Sequence, residues 1–160
     1  MHPPIYTIGH GTRPLAVFLD LLERCPVDFL IDVRSVPFSA YNPQYNRSTL
    51  SEALKARNIQ YLYMGNSLGG RPSDPTCYRD GRIDYDLIQE KDFFIAGLQR
   101  LIAAYEKQAR VALMCSESQP QHCHRSRLIG RALTQRNIPV RHIDEKGQFR
   151  DQAIVHPSLF

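Results

Sequence analysis

The chain has no uncharged apolar run approaching the ~20 residues of a membrane-spanning helix. Its start, Met1-His2-Pro3-Pro4, has no basic stretch leading into an apolar one. A cytoplasmic protein without a membrane partner is expected. Cysteine is scarce: Cys25, Cys77, Cys115 and Cys123 are too few and too scattered for a small secreted disulfide framework, so reduced thiols are expected. Lysine is scarce too. Of 20 Lys+Arg, only residues 55, 91, 107 and 146 are lysine, and the arginine excess suits planar, bidentate contact with phosphate or carboxylate. The net charge of +4 serves solubility before it marks a nucleic-acid footprint.

What is present is enough for a core. With 160 residues, 42% of them hydrophobic and 22% charged, the chain is expected to form one domain over residues 1–160. It shows no repeat, low-complexity tract or linker. Ile5 to Ile8 is a β-prone run. Thr12 with Arg13-Pro14 predicts the cap of a helix whose Leu15, Phe18, Leu19 and Leu22 share one face. Val27 to Val33 reads as a second strand. A polar loop follows, then a helix starting at Ser48 or Thr49, with Glu52 at capping-box distance, and ending near Asn58. Ile59 to Tyr63 is the third strand, and the Gly- and Pro-rich stretch from Gly65 to Ile83 is a candidate lid or binding loop. Tyr85 to Gln108 suits one long helix or two short ones. Val111 to Cys115 is the fourth strand, a helix spans about Arg125 to Arg136, and Val140 to Ile143 is the fifth strand before an irregular tail.

Strands alternating with helices predict a three-layer α/β/α, Rossmann-like domain with a mostly parallel five-stranded sheet and right-handed crossovers. In such sheets reactive groups gather beyond the carboxyl ends of the strands. His10 follows strand one, Asp32 and Arg34 flank the end of strand two, and Cys115 and Glu117 follow strand four. The densest constellation runs from Cys115 through Glu117, His122, Cys123 and His124 to Arg125. A helix start at Cys123, with Arg125 beside it, lowers a thiol pKa and attracts anions. Each residue also has a plainer role open to it. A cysteine closing an apolar strand is ordinarily a small buried hydrophobe, which is the reading for Cys25 and Cys77, and Asp32 with Arg34 can serve as a scaffold ion pair. His10 stands between glycines, which permit close approach to a ligand. His122 and His142 read as solvent-exposed or structural.

Five motifs, Tyr6-Thr7-Ile8-Gly9-His10-Gly11, Asp32-Val33-Arg34-Ser35-Val36-Pro37, Asn42-Pro43-Gln44-Tyr45-Asn46, Leu68-Gly69-Gly70-Arg71 and Cys115-x-Glu117-x-x-Pro120-x-x-Cys123-His124-Arg125, together resemble the bacterial and archaeal family called domain of unknown function 488. The resemblance extends over nearly the whole chain. It implies the α/β fold and marks His10, Asp32, Arg34, Cys115, Glu117, Cys123, His124 and Arg125 as motif positions.

Three functions fit these residues. The first is a thiol enzyme, with a thiolate at Cys115 or Cys123, His10 or His124 as proton acceptor, and Arg34, Arg71, Arg125 and Asp32 around an anionic substrate, either a small molecule or nucleic acid. Asp32-Val33-Arg34 and the later strand-end cysteine locally resemble a rhodanese arrangement. That loop, however, places its arginine at the end of a short cradle, whereas Arg125 lies ten residues beyond Cys115 with Pro120 between. The departure argues against persulfide transfer or phosphoester hydrolysis by the usual cradle. The second is a zinc or iron site of Cys115, Cys123 and His124 completed by Glu117 or His10, although the spacing lacks paired knuckles. The third is a nucleotide or nucleic-acid binding module using loop arginines (Arg34, Arg47, Arg71, Arg79, Arg82, Arg125, Arg127) with Tyr41, Tyr45, Tyr63 and Tyr78 to stack on bases.

Overall fold

The computed structural model describes residues 2–155; Met1 and the end of the tail, residues 156–160, lie outside the described residues. In chain order, β1 (Ile5–Gly9), α1 (Leu15–Glu23), β2 (Phe29–Asp32), α2 (Arg47–Lys55), β3 (Gln60–Tyr63), α3 (Gly65–Leu68), β4 (Tyr78–Arg79), β5 (Arg82–Ile83) and α4 (Tyr85–Gln89) come first. Then follow α5 (Asp92–Glu106), β6 (Val111–Cys115), a π-helical segment Arg125–Gly130 continued by α6 (Arg131–Thr134), β7 (Val140–Ile143), β8 (Phe149–Asp151) and α7 (Gln152–Val155). No helix among the described residues is long and apolar enough to cross a membrane.

The expected α/β architecture is present, with a sheet ordered β3-β2-β6-β1-β7-β8. The five anticipated strands are parallel. A sixth, β8, pairs antiparallel with β7 in the tail expected to be irregular. Alternation along each strand sorts the core into two layers. Ile5, Ile31, Val111 and Leu113 face α4, α5 and the π segment through Ile88, Phe94, Leu98 and Leu128. Ile8, Leu30, Ala112 and Met114 face α1 and α2 through Phe18, Leu22, Leu50 and Leu54. Strands buried on both faces read as continuous apolar runs rather than alternating ones, and β6 is buried along its whole length.

Right-handed crossovers account for the layering. The chain steps from β1 to β2 to β3 with its helices on one face, then returns through β6 to β7 with them on the other. Neighbouring β1 and β6 therefore send their following segments to opposite faces, and a crevice opens between their carboxyl ends.

Local chemistry moves several boundaries. The first helix begins at Leu15 with Pro14 at its N-cap and no side-chain cap, because proline occupies the capping position and Thr12 lies two residues before it; the Pro14 carbonyl accepts from Phe18 N–H. The second begins at Arg47 after Asn46, without the expected capping box; Asn46 instead uses its side-chain oxygen to accept from Ser39 N–H at 2.7 Å. Residues 85–108 form two helices. The 65–83 stretch contains a short helix and a β4–β5 hairpin, whose turn residues Asp80 and Gly81 have φ of 53° and 76°, the signature of a type I′ turn.

Candidate functional site

A cavity of about 770 Å³ lies over the crevice and is lined by His10, Arg34, Arg71, Cys115, Glu117, Cys123 and His124 among others. Seven of the nine residues singled out in the sequence therefore face one space. Asp32 and Arg125 do not line it; they stand behind it and hold those that do.

The sulfurs lie at the floor. Cys123 Sγ is 2.7 Å from Cys115 Sγ and 3.6 Å from His124 Nδ1. His124 Nε2 lies 2.9 Å from the Val33 carbonyl. A carbonyl only accepts, so Nε2 carries a hydrogen, and in the neutral ring Nδ1 presents its lone pair to the sulfur. Arg125 N–H also donates to Cys123 Sγ, at 3.5 Å. Burial pushes the Cys123 thiol up, but hydrogen bonds with Cys115 and His124 and the positive charge of Arg125 outweigh it and hold Cys123 well below the ordinary thiol range. Cys115 moves the other way: burial, then the hydrogen bond and charge of Cys123, raise it well above that range. Cys115 Sγ also lies 3.3 Å from the Glu117 carbonyl oxygen, a neighbour that favours a thiol hydrogen over a thiolate. The two shifts run in opposite directions.

On the opposite wall, Arg34 is tied down on three sides. Its Nε donates to Asp32 Oδ1 at 3.0 Å and its Nη2 to Asp32 Oδ2 at 2.9 Å, a bidentate pair with both partners buried. Nη2 also donates to the Tyr45 carbonyl at 2.8 Å, and Tyr61 O–H donates to Asp32 Oδ2 at 2.5 Å. Nη1 is directed at His10 Nε2, 3.4 Å away. His10 Nδ1 donates to the Gly11 carbonyl at 2.8 Å. The Asp32–Arg34 scaffold pair and the cavity-facing arginine are thus the same residues in one arrangement.

Arg125 is fully buried. It donates from Nη1 to Thr7 Oγ1 at 2.8 Å and the Ile143 carbonyl at 3.2 Å, and from Nη2 to the carbonyls of Ser118 at 2.9 Å and Glu117 at 3.4 Å. It stitches the loop after β6 to β1 and β7. Gly9 makes room for that loop: a Cβ there would meet the Glu117 carbonyl oxygen at 1.7 Å. The close approach expected at the glycine before His10 is therefore made by the protein's own backbone. Gly70 plays the same part for His124, whose ring a Cβ would meet at 2.8 Å.

Glu117 is exposed on the rim, its Oε1 accepting from Gln119 N–H at 3.0 Å. Arg71 is exposed, with its N–H donated to Ser35 Oγ at 2.9 Å. Cys25 and Cys77 are buried in the core. His142 is structural, joining Thr7 and Gln152, while His122 is exposed and lines the cavity. Of the stacking candidates, Tyr45 is buried, and burial pushes its phenol up to about 12; Tyr41 is 95% exposed. Sequence reasoning missed Phe38, which lines the cavity, and the π segment that opens just after His124. Departures of this kind from the α-helix recur at functional sites, and no periodicity announces them.

No group of three or more His, Cys, Asp or Glu side chains stands in metal-holding geometry among the described residues. Two thiolates on one tetrahedral zinc, each at ~2.3 Å, lie roughly 3.8 Å apart, wider than the 2.7 Å between Cys115 and Cys123. The zinc or iron reading is not supported by this donor set.

Compared with known families, residues 14–132 match the one described as Domain of unknown function DUF488. The chain belongs to this family. The DUF488 span holds Arg34, Arg71 and the whole Cys115 to Arg125 segment, and begins after the His10 motif. No curated protein and no solved structure matches the chain.

Proposed function

We propose that this DUF488 protein is a cysteine-dependent enzyme acting on an anionic substrate, either phosphate-containing or linked to nucleic acid. The reading rests on one observation: Cys123 Sγ faces His124 Nδ1 at 3.6 Å while the far nitrogen of that ring is held by Val33. Nucleophile, base and orienting group stand in sequence. The Cys123 proton passes to His124 Nδ1, the thiolate attacks an electrophilic centre in the cavity, and the imidazolium returns the proton to the leaving group. Arg34 Nη1 and the Arg71 side chain hold the anion.

The test is alkylation of the thiols over a pH series, with the modified peptide mapped by mass spectrometry. Cys123 is expected to react fastest, with an apparent pKa well under the ~8.5 of a free thiol. Reaction of Cys123 only at the free-thiol value overturns the proposal.

Nucleic acid or a nucleotide is favoured among anions by a second feature. Val36 and Phe38, 66% and 63% exposed, line the cavity together with Arg71, and Tyr41, 95% exposed, follows in the same loop. Exposed rings next to a cation suit a ligand with a flat base and a phosphate.

A further inference from the structure

We propose that Cys115 is the resolving thiol of Cys123: when a hydroperoxide oxidises Cys123, Cys115 condenses with it to form an internal disulfide. The proposal rests on the reading of Cys123 as the reactive sulfur, and adds to it a redox reaction and a partner residue.

The geometry points there in three ways. The two sulfurs are 2.7 Å apart with no atom between them. They come from different elements, the end of β6 and the turn before the π segment, and both elements are fixed through Arg125, which binds the carbonyls of Glu117 and Ser118 and whose N–H meets Cys123 Sγ. Closing the bond to the ~2.05 Å of a disulfide brings the sulfurs together by a further ~0.65 Å. Finally, the sulfurs differ in what they can do. Both sulfurs line the cavity and both are buried, Cys123 at 5% and Cys115 at 1% exposure, but Cys123 adjoins a base and an N–H donor, whereas Cys115 has Cys123 and the Glu117 carbonyl as its polar neighbours among the described residues. A peroxide in the cavity reacts first at the sulfur that adjoins the base and the N–H donor, Cys123, and Cys115 is placed to act second.

The steps balance. The Cys123 thiolate attacks one oxygen of hydrogen peroxide and an S–O bond forms as the O–O bond breaks. The departing hydroxide takes a proton from the His124 imidazolium and leaves as water. Sulfur has lost two electrons and the peroxide has gained them, giving a sulfenic acid. Cys115 Sγ then attacks the Cys123 sulfur; the S–S bond forms, the S–OH bond breaks, and hydroxide leaves as water with the Cys115 proton. A dithiol reductant reverses the result by thiol–disulfide exchange.

The experiment treats the reduced full-length protein with hydrogen peroxide, in wild type and in Cys115→Ser and Cys115→Ala, with a sulfenic-acid trap present or absent. Peptide mapping under non-reducing conditions reads the products. In wild type two of the four thiols should disappear together as a single Cys115–Cys123 crosslink that dithiothreitol reverses, with little trapped sulfenic acid. In both variants the crosslink is lost, trapped Cys123 sulfenic acid rises several-fold, and continued exposure carries it to the irreversible sulfinic form. Two substitutions guard against a folding artefact, and the wild-type map needs none. Trapped sulfenic acid in wild type at the level of the variants, with no crosslink, overturns the resolving role while leaving a fast-alkylating Cys123 intact. An unreactive Cys123 in both alkylation and peroxide assays overturns the nucleophile reading as well.

Discussion

The imidazole of His10 lies flat against the ring of Tyr45, centroids 4.5 Å apart and planes within 14°. The stack seals the side of His10 away from the cavity. One nitrogen donates to Gly11 and the other meets a guanidinium, so a second ring proton has nowhere favourable to go. Burial lowers the His10 pKa below 6.5; the Arg34 charge lowers it further, against the opposing effects of the Gly11 bond and Asp32.

That shift has a stability consequence with a definite sign. Between the lowered folded value and the unfolded value of about 6.5, the unfolded chain binds more protons at His10 than the folded one, so acidification through this window favours unfolding. His10 should titrate below 6.5 by NMR, and His10→Gln should flatten the loss of urea midpoint between about pH 7 and pH 5. A His10 resonance titrating at or above 6.5 contradicts this.

Asp32 and Arg34 are expected to act as one unit. Asp32→Ala leaves a buried guanidinium without its counter-ion and should cost about 3–5 kcal/mol in denaturant unfolding. Tyr61→Phe removes one hydrogen bond to the same carboxylate and should cost about 1 kcal/mol. If Asp32→Ala is no more costly than Tyr61→Phe, the ion pair does not anchor the wall.

Much of this arrangement was legible in the chain. Apolar runs punctuated by turn residues identify the five parallel strands, and the rule that chemistry collects at their carboxyl ends brings His10, Arg34 and Cys115 to one rim. Types and spacing do not say which polar group points where. Arg125 looks in sequence like an anion ligand beside Cys123, yet its guanidinium turns inward, to Thr7 and to the carbonyls of Ile143, Glu117 and Ser118. Nor does the sequence distinguish the two cysteines, since the difference comes from His124, whose orientation is set by the distant Val33 carbonyl. The tail strand β8 is short, charged and dependent on β7 for pairing, and such edge strands carry little periodic signal.

Arg125 should prove to be both a structural stitch and an electrostatic one. Arg125→Met strips donors from Thr7 and three carbonyls and should destabilise the fold by about 2–4 kcal/mol, while raising the apparent pKa of Cys123 in the alkylation assay. Arg125→Lys keeps the charge and loses the fork. It should recover part of the Cys123 shift but little of the stability. Equal recovery of both, or of neither, argues against the separation.

His124 is expected to set the reactivity of Cys123 without supporting the fold. His124→Gln keeps a polar side chain against Val33 but cannot take a proton, so the apparent Cys123 pKa should climb toward the ~8.5 of a free thiol while the urea midpoint changes little. Gly70→Ala should shift reactivity in the same direction by crowding the ring. Unchanged alkylation profiles in both variants would remove His124 from the mechanism.

The loop at the cavity mouth offers the most direct check on substrate class, because its residues touch neither sulfur. Phe38 and Tyr41 are largely exposed, and base stacking on such rings is worth about 1–3 kcal/mol per base. If the ligand carries a nucleobase, Phe38→Ala and Tyr41→Ala should each weaken a short single-stranded oligonucleotide by about 5- to 150-fold in fluorescence anisotropy, the equivalent of that range. Inorganic phosphate, with no ring to stack, should compete equally well in wild type and variants. Arg71→Ala should weaken both ligands and lessen the salt dependence of oligonucleotide binding, since it removes a phosphate contact. The Cys123 alkylation profile should stay as in wild type for the two aromatic variants, which separates recognition from the thiol chemistry. Oligonucleotide binding unaffected by either aromatic substitution, together with a loss in Arg71→Ala, would assign the cavity to a small anion without a base.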